Sequence, residues 1–320
     1  MDHSTITAQL DSTSGSPTIT SFGSPITIQV SDSIRANESH IVTHGGGFTT
    51  GTISLEAGQA IRLTKSTVDA GINFGDPGQR GGSVTLTAPV VSLDGSHVGA
   101  TGAIPGRFIS APGGSIAIQA DQVHLQNGSE LSVAGRATGS PPTNGGGTIV
   151  INATDTVRID HSRIEASSVS GDAGNITVTA GEVVRLNHAT VLAEGDPGTS
   201  RSPGNGGNIV IDAGKSYLSQ SSVLSAHSDG EHGGNIIIEA PERIRIDGGL
   251  ISTSAGVNGA GGNISLISGV VRLRDGARVE STAVNGPGGN IIINANDFRQ
   301  PNSTLDVKSQ FGPNGTVTLP

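Results

Sequence analysis

Arg62, Arg158, Arg185, Arg245 and Arg272 each stand between two apolar residues, as in Val157-Arg158-Ile159 and Val184-Arg185-Leu186. They fall at equivalent places of a repeating pattern, on a line that also runs through Ser92, His124 and Tyr217. A guanidinium is a planar fork of donors that fits carboxylate, sulfate or phosphate oxygens. Five of the fifteen arginines on one line would offer parallel forks to an extended polyanion, for which a glycan with acidic sugars is the natural candidate. Asp160 and Asp247 follow Arg158 and Arg245 by two residues and are expected to pair with them, which relieves repulsion along the line and competes with any ligand.

A second set of basic residues, Arg80, Arg107, Arg136 and Arg201, lies in four long segments rich in Gly and Pro, 71–81, 101–113, 134–146 and 194–206. These segments occupy the same place in the pattern and should form a crest of loops, with Phe74 and Phe108 as its only aromatics. Loops on a rigid scaffold are a common place for binding and also for tolerated insertions. His161 and His188 are 27 residues apart and should stack near 5 Å, but no third ligand accompanies both, so no metal site is expected.

Paired carboxylates for glycosidic chemistry need a fixed separation. The outward positions Glu56, Gln119, Asn152, Asp212, Glu239 and Asn294 alternate charge and amide without an evident cluster. There is no GxSxG elbow, no phosphate-binding loop and no calcium nonapeptide. Neither a catalytic residue nor a cofactor is expected. Thr85/Thr87 and Thr177/Thr179 are too far apart for a flat ice-binding array, while the outward Val210, Ile237 and Ile292 suggest lateral contact between copies.

The composition narrows the classes further. The 320 residues include 49 Gly and 15 Pro, 14% are charged, 2% are aromatic and none is Cys. Thiol nucleophiles, disulfides and Cys-bound metals are thereby excluded. A net charge of −9 argues against nucleic acid as a partner. No apolar run is long enough for a membrane-spanning helix. The start, Met1-Asp2-His3-Ser4-Thr5, has no basic and apolar leader, so export would be specified by residues outside this sequence.

The positioning element is a repeat, Gly-x-[Ile/Val]-x-[Ile/Leu/Val]-x-Ala, which reads GTISLEA at Gly51, GSIAIQA at Gly114, GNITVTA at Gly174 and GNIIINA at Gly289. Its base period is about 27 residues with optional insertions. Within one unit, apolar residues alternate with polar ones in three short runs, such as Ile176/Val178/Ala180, Val184/Leu186 and Val191/Ala193. Period-2 patterning specifies strands, and one such unit cannot bury its apolar face alone. Stacked units pair in parallel at ~4.8 Å, giving an all-β fold: a right-handed parallel β-helix of about 10 coils with three sheets around a filled core. The Gly-Gly before each first strand is expected to mark a corner with positive φ. Asn175, Asn208, Asn235, Asn263 and Asn290 should form a ladder of stacked amides. Residues 1–23 are expected to be irregular and 24–320 to form a single rod.

The units GNGGNIVIDAGKSYLSQSSVLSA and GGNISLISGVVRLRDGARVESTA, with the ending Ser309-Gln310-Phe311-Gly312-Pro313-Asn314-Gly315-Thr316-Val317, resemble the repeats of filamentous-haemagglutinin-type large exoproteins. The resemblance covers residues 24–320. It implies a passenger exported by two-partner secretion through an outer-membrane transporter and secreted from, or held at, the surface of a Gram-negative bacterium. Adhesion, aggregation or surface presentation without catalysis is the implied role. The family's secretion domain, with its Asn-Pro-Asn motifs, is not found in these residues. The alternative is a polysaccharide-binding module or a polysaccharide lyase or hydrolase on the same fold.

Overall fold

The computed structural model describes residues 8–10, 18–22, 25–44, 51–71, 80–102, 111–135, 145–169, 171–195, 204–229, 232–257 and 259–320. These residues form strands and turns with no helix. Every strand pairing is parallel, and equivalent segments stack into a β-solenoid of about 9 turns with about 28 residues in each. The fold is the parallel β-helix that the alternating pattern dictates.

Three columns of strands run along the rod, but they make two sheets rather than three. The third strands form an 11-stranded sheet of their own. The first and second strands share a 17-stranded sheet, because in several turns the chain bends without breaking its ladder, as in Ser115–Gln126, Thr148–Asp160 and Asn235–Asp247. Where Gly58, Gly181 or Gly214 stands at the bend, the strand ends at the preceding Ala57, Ala180 or Ala213. Two strands also lie inside the segment expected to be irregular. Ala8–Leu10 pairs with Ser33–Asn37 and Thr18–Phe22 with His40–His44, so residues 8–10 and 18–22 belong to the stack.

The interior is a column of aliphatic side chains, one alternating set per strand. Ile149, Ile151, Val157, Ile159 and Ile164 of a single turn are all buried. Each such side chain contributes about 1.5–3 kcal/mol on leaving water, and each turn covers its neighbour.

The glycine corner has a different cause from the one expected. Neither Gly81 nor Gly82, nor the equivalent pairs further along, has positive φ. These glycines are required because the turns touch there: a Cβ on Gly174 would lie 1.7 Å from the carbonyl oxygen of Gly147, and one on Gly147 would lie 2.1 Å from that of Gly114. Positive φ occurs instead at the corner between the second and third strands. Non-glycine residues adopt it there, among them Lys65, Asn127, His161 and His188, with φ of 46 to 56°. The strain is held by interturn bonds such as His161 N–H to Asn187 O (2.9 Å) and His188 N–H to Gln220 O (2.9 Å).

Immediately after that corner, buried serines make a ladder that the motif reading missed. Ser96 Oγ accepts from Ser66 N–H (3.0 Å) and donates to Asp94 O (3.0 Å). Ser129 Oγ accepts from Ser96 N–H (3.2 Å) and donates to Gln126 O (2.7 Å). Buried backbone groups freed by the turn are thereby satisfied. The amide ladder forms as expected: Asn208 Nδ2 donates to Asn175 Oδ1 (3.0 Å), Asn235 to Asn208 (2.9 Å), Asn263 to Asn235 (2.9 Å) and Asn290 to Asn263 (3.0 Å).

Two substitutions separate these contributions. Gly174→Ala should lower stability by on the order of 3 kcal/mol, because backbone must move to admit the methyl group. Asn235→Ala should cost about 1 kcal/mol, because its ladder is exposed. Denaturant midpoints followed by circular dichroism check both, and a Gly174→Ala midpoint equal to that of the parent contradicts the steric reading.

Candidate functional site

Strand register fixes the arginine line residue by residue. Arg35 pairs with Arg62, then Ser92, His124, Arg158, Arg185, Leu218, Arg245, Arg272 and Arg299 follow in unbroken order. All five expected arginines are on it, and Arg35 and Arg299 extend it at either end. Those two escaped notice because their turns depart from the repeat motif. The glycine-to-arginine distance was the available signal for Leu218: Gly181 and Arg185 are spaced like Gly214 and Leu218.

Tyr217 does not belong to the line. It is fully buried, Ser219 is buried beside it in sequence, and Leu218 points outward. Choosing the face by polarity put Tyr217 outside, and a one-residue slip reverses every side chain of a strand. The Tyr217 hydroxyl has no hydrogen-bond partner among the described residues. Burial pushes its pKa up, with the Ser219 side chain opposing.

The line divides electrostatically. Asp247 accepts from Arg245 (2.6 Å) and from Arg274 (3.2 Å). Burial raises the Asp247 pKa, but these two guanidinium groups outweigh it and hold the carboxyl below its usual value. Asp297 is bound by Arg272 and lies 3.5 Å from Arg299, and the bond to Arg272 is the main cause of its lowered pKa. Arg35, Arg62, Arg158 and Arg185 are exposed and have no ion-pair partner among the described residues. The expected Arg158–Asp160 pair does not form, because Asp160 Oδ1 is taken by Asn187 Nδ2 (2.6 Å) and His161 Nδ1 (2.8 Å). Beside Arg158, His124 has its pKa lowered, by burial first and by the guanidinium charge second.

Arg158, Arg185 and Arg245 open onto a cavity of about 370 Å³ with Leu218, Asn187, Gln220 and Asp247 in its lining. Two unpaired forks one strand spacing apart (~4.8 Å), beside an apolar floor and amide side chains, can hold an anionic group and the ring that carries it.

The loop-crest residues are less fully placed. Arg80 is exposed at the end of its insertion, whereas Arg107, Arg136 and Arg201, with Phe74 and Phe108, lie outside the described residues. The His161 and His188 rings stack at 4.8 Å with 9° between planes, as expected. No metal-holding cluster of three or more ligands occurs among the described residues. On the first-strand face, Asp212 and Glu239 turn out to be direct neighbours in register, both exposed, so a carboxylate pair exists where none was expected.

The third strands carry a further network. His97 Nδ1 lies 3.2 Å from Glu130 Oε2, and Arg163 bridges Glu130 (3.8 Å) and Glu165 (2.8 Å). Burial pulls the His97 pKa down, but Glu130, joined by Asp69, raises it overall. His97 in turn holds Glu130 below its usual value.

Compared with known proteins, the chain matches no family model, no curated protein and no solved structure.

The His97–Glu130 pair sets a pH dependence. A raised folded pKa on His97 contributes stability that is complete below 6.5 and lost as pH rises through the folded value. The lowered value on Glu130 contributes stability above 4.5 that is lost as pH falls through its folded value. His97→Gln should therefore cost most near pH 5.5, by less than about 1 kcal/mol because both groups are solvent-screened. The loss should fade toward pH 9, which thermal unfolding across that range will read.

Proposed function

We propose that the chain is a rigid rod of an adhesin-like extracellular protein, which acts by presenting its surface rather than by catalysis. The observation that carries this reading is the arginine column, in register from Arg35 to Arg299, with its forks at Arg158 and Arg185 unpaired beside a cavity. Strand pairing repeats one side chain at a constant spacing, so the column suits a ligand that is itself repetitive and anionic. Acidic glycans of a host or matrix surface meet both conditions.

The resemblance to filamentous-haemagglutinin-type exoproteins supports the same reading. It adds the proposal that the full-length protein passes an outer-membrane two-partner secretion transporter and is held at, or released from, a Gram-negative cell surface. The outward Val210, Ile237 and Ile292 offer a strip for lateral contact between copies, with Ile237 and Ile292 exposed. Nucleic acid is disfavoured by the net charge of −9.

A second reading rests on Asp212 and Glu239. Adjacent carboxylates are the arrangement from which retaining glycosidases work, so a polysaccharide-active enzyme is the alternative. New reducing ends that appear with the parent protein and vanish with Asp212→Asn would establish it in place of the adhesin reading.

The binding reading is tested on heparin and on polygalacturonate at low salt. Arg158→Ala and Arg185→Ala should each weaken binding about tenfold, the effect of losing one charged hydrogen-bond contact. Arg272→Ala should change it less, because Arg272 is already bound to Asp297. Affinities unchanged in the Arg158→Ala, Arg185→Ala double variant would remove the column from the binding surface.

A further inference from the structure

The glycine corner carries a trough distinct from the arginine column. One cavity of about 350 Å³ is lined by Arg80, Pro112, Ser115 and Thr148 with the glycines between them. A second, of about 230 Å³, is lined by Thr148, Asp172, Asn175, Asn205 and Asn208. They share Gly146, Gly147 and Thr148, so the space continues along the rod from Arg80 to Asn208, a length of about 20 Å at one strand spacing per turn.

Its floor is bare backbone, since the glycines there are held in contact by the stacking of turns. The ends of all four long insertions border it: Arg80, Pro112, Gly146 and Asn205. Its other side is the row of side chains that follows each glycine pair. From Asn175 onward this row is locked into the amide ladder. Below Asn175 the row changes to hydroxyls: Ser83 Oγ donates to Thr52 Oγ1 (3.3 Å), whereas the next two are not engaged. Ser115 Oγ and Thr148 Oγ1 are exposed with no hydrogen-bond partner among the described residues. Asn175 accepts on Oδ1 from Asn208 N–H and Nδ2 (both 3.0 Å), while its own Nδ2 donates to nothing among the described residues. Asp172 offers its carboxylate from the opposite side, where Oδ1 accepts from Asn205 N–H (2.8 Å) and Nδ2 (2.9 Å).

We infer that this trough binds an unbranched, uncharged polysaccharide strand lying parallel to the rod axis. Free hydroxyl and amide groups recur at one strand spacing, ~4.8 Å, comparable to the advance of one sugar in an extended chain. They both donate and accept, which matches the alternating hydroxyls of a glycan better than the acceptor-only oxygens of a polyanion. The glycine floor lets a ring approach the backbone closely, and a branch would meet Arg80, Pro112 or Asn205 along the border. Arg80 and Asp172 hydrogen-bond hydroxyls at separate points of the trough without demanding charge in the ligand.

The test is affinity electrophoresis of the full chain at high salt, in gels containing linear mixed-linkage β-glucan, linear glucomannan or branched dextran. At least one linear polymer should retard the protein and dextran should not. Thr148→Tyr, which fills the middle of the trough from an exposed position, should weaken that retardation about tenfold. The Arg158→Ala, Arg185→Ala double variant should keep it. Circular dichroism of Thr148→Tyr confirms its fold, with Ser115→Tyr as the second plug if it does not. Retardation by neither linear polymer, or retardation that both plugs leave unchanged, overturns the inference. Retardation lost at high salt or with the arginine double variant also overturns it and assigns the binding to the column. Heparin binding run in parallel is independent of these outcomes, so the two surfaces fail or stand separately.

Discussion

The distance between successive turns governs everything else in this molecule. Parallel strands lie at ~4.8 Å, and at the corner before each first strand the backbones approach so closely that no Cβ fits. Gly114, Gly147, Gly174, Gly207 and Gly234 each face the carbonyl of the equivalent glycine one turn away. With this corner closed, the aliphatic residues of one turn rest on those of the next, and the interior becomes one continuous column rather than a series of separate cores.

Strict stacking also decides what the surface must contain. Any side chain that recurs at one position meets its own kind one spacing away, which helps an amide and harms a charge. Asparagines resolve this by hydrogen bonding to each other. Arginines near the C-terminal turns resolve it by recruiting Asp247 and Asp297. Arg35, Arg62, Arg158 and Arg185 have no such neutralisation among the described residues, and the last two stand together where the cavity opens. A solenoid that tolerates this repulsion holds electrostatic work available for an incoming anion.

Much of the architecture was legible because alternation with period 2 maps directly onto burial. Ile149, Ile151, Val157 and Ile159 are as buried as their pattern requires. The amide ladder and the His161–His188 stack were equally plain, since equal spacing in sequence becomes adjacency in space. Less was readable where two physical causes select the same residue. Glycine serves positive φ and close approach alike, and only the backbone shows that the corner uses the second. Tyr217 and Leu218 exchanged faces because hydrophobicity ranks them contrary to their register. Asp160 has both Arg158 and Asn187 within reach of its position in the pattern, and a sequence does not show which partner prevails. The adjacency of Asp212 and Glu239 was obscured because Thr179 and Ile267 occupy the neighbouring turns and the amides Asn152 and Asn294 the turns beyond.

The amide ladder has a direction. In every rung the Nδ2–H group points toward the preceding turn and the Oδ1 toward the following one, from Asn290 down to Asn175. Aligned amides add their dipoles and polarise one another, as peptide groups do along a helix. The oxygen end is closed by the Thr316 hydroxyl, which donates to Asn290 Oδ1 at 2.5 Å. The nitrogen end at Asn175 meets no acceptor among the described residues, so a surface strip made wholly of neutral side chains ends in a positive pole that faces the hydroxyl-lined half of the rod.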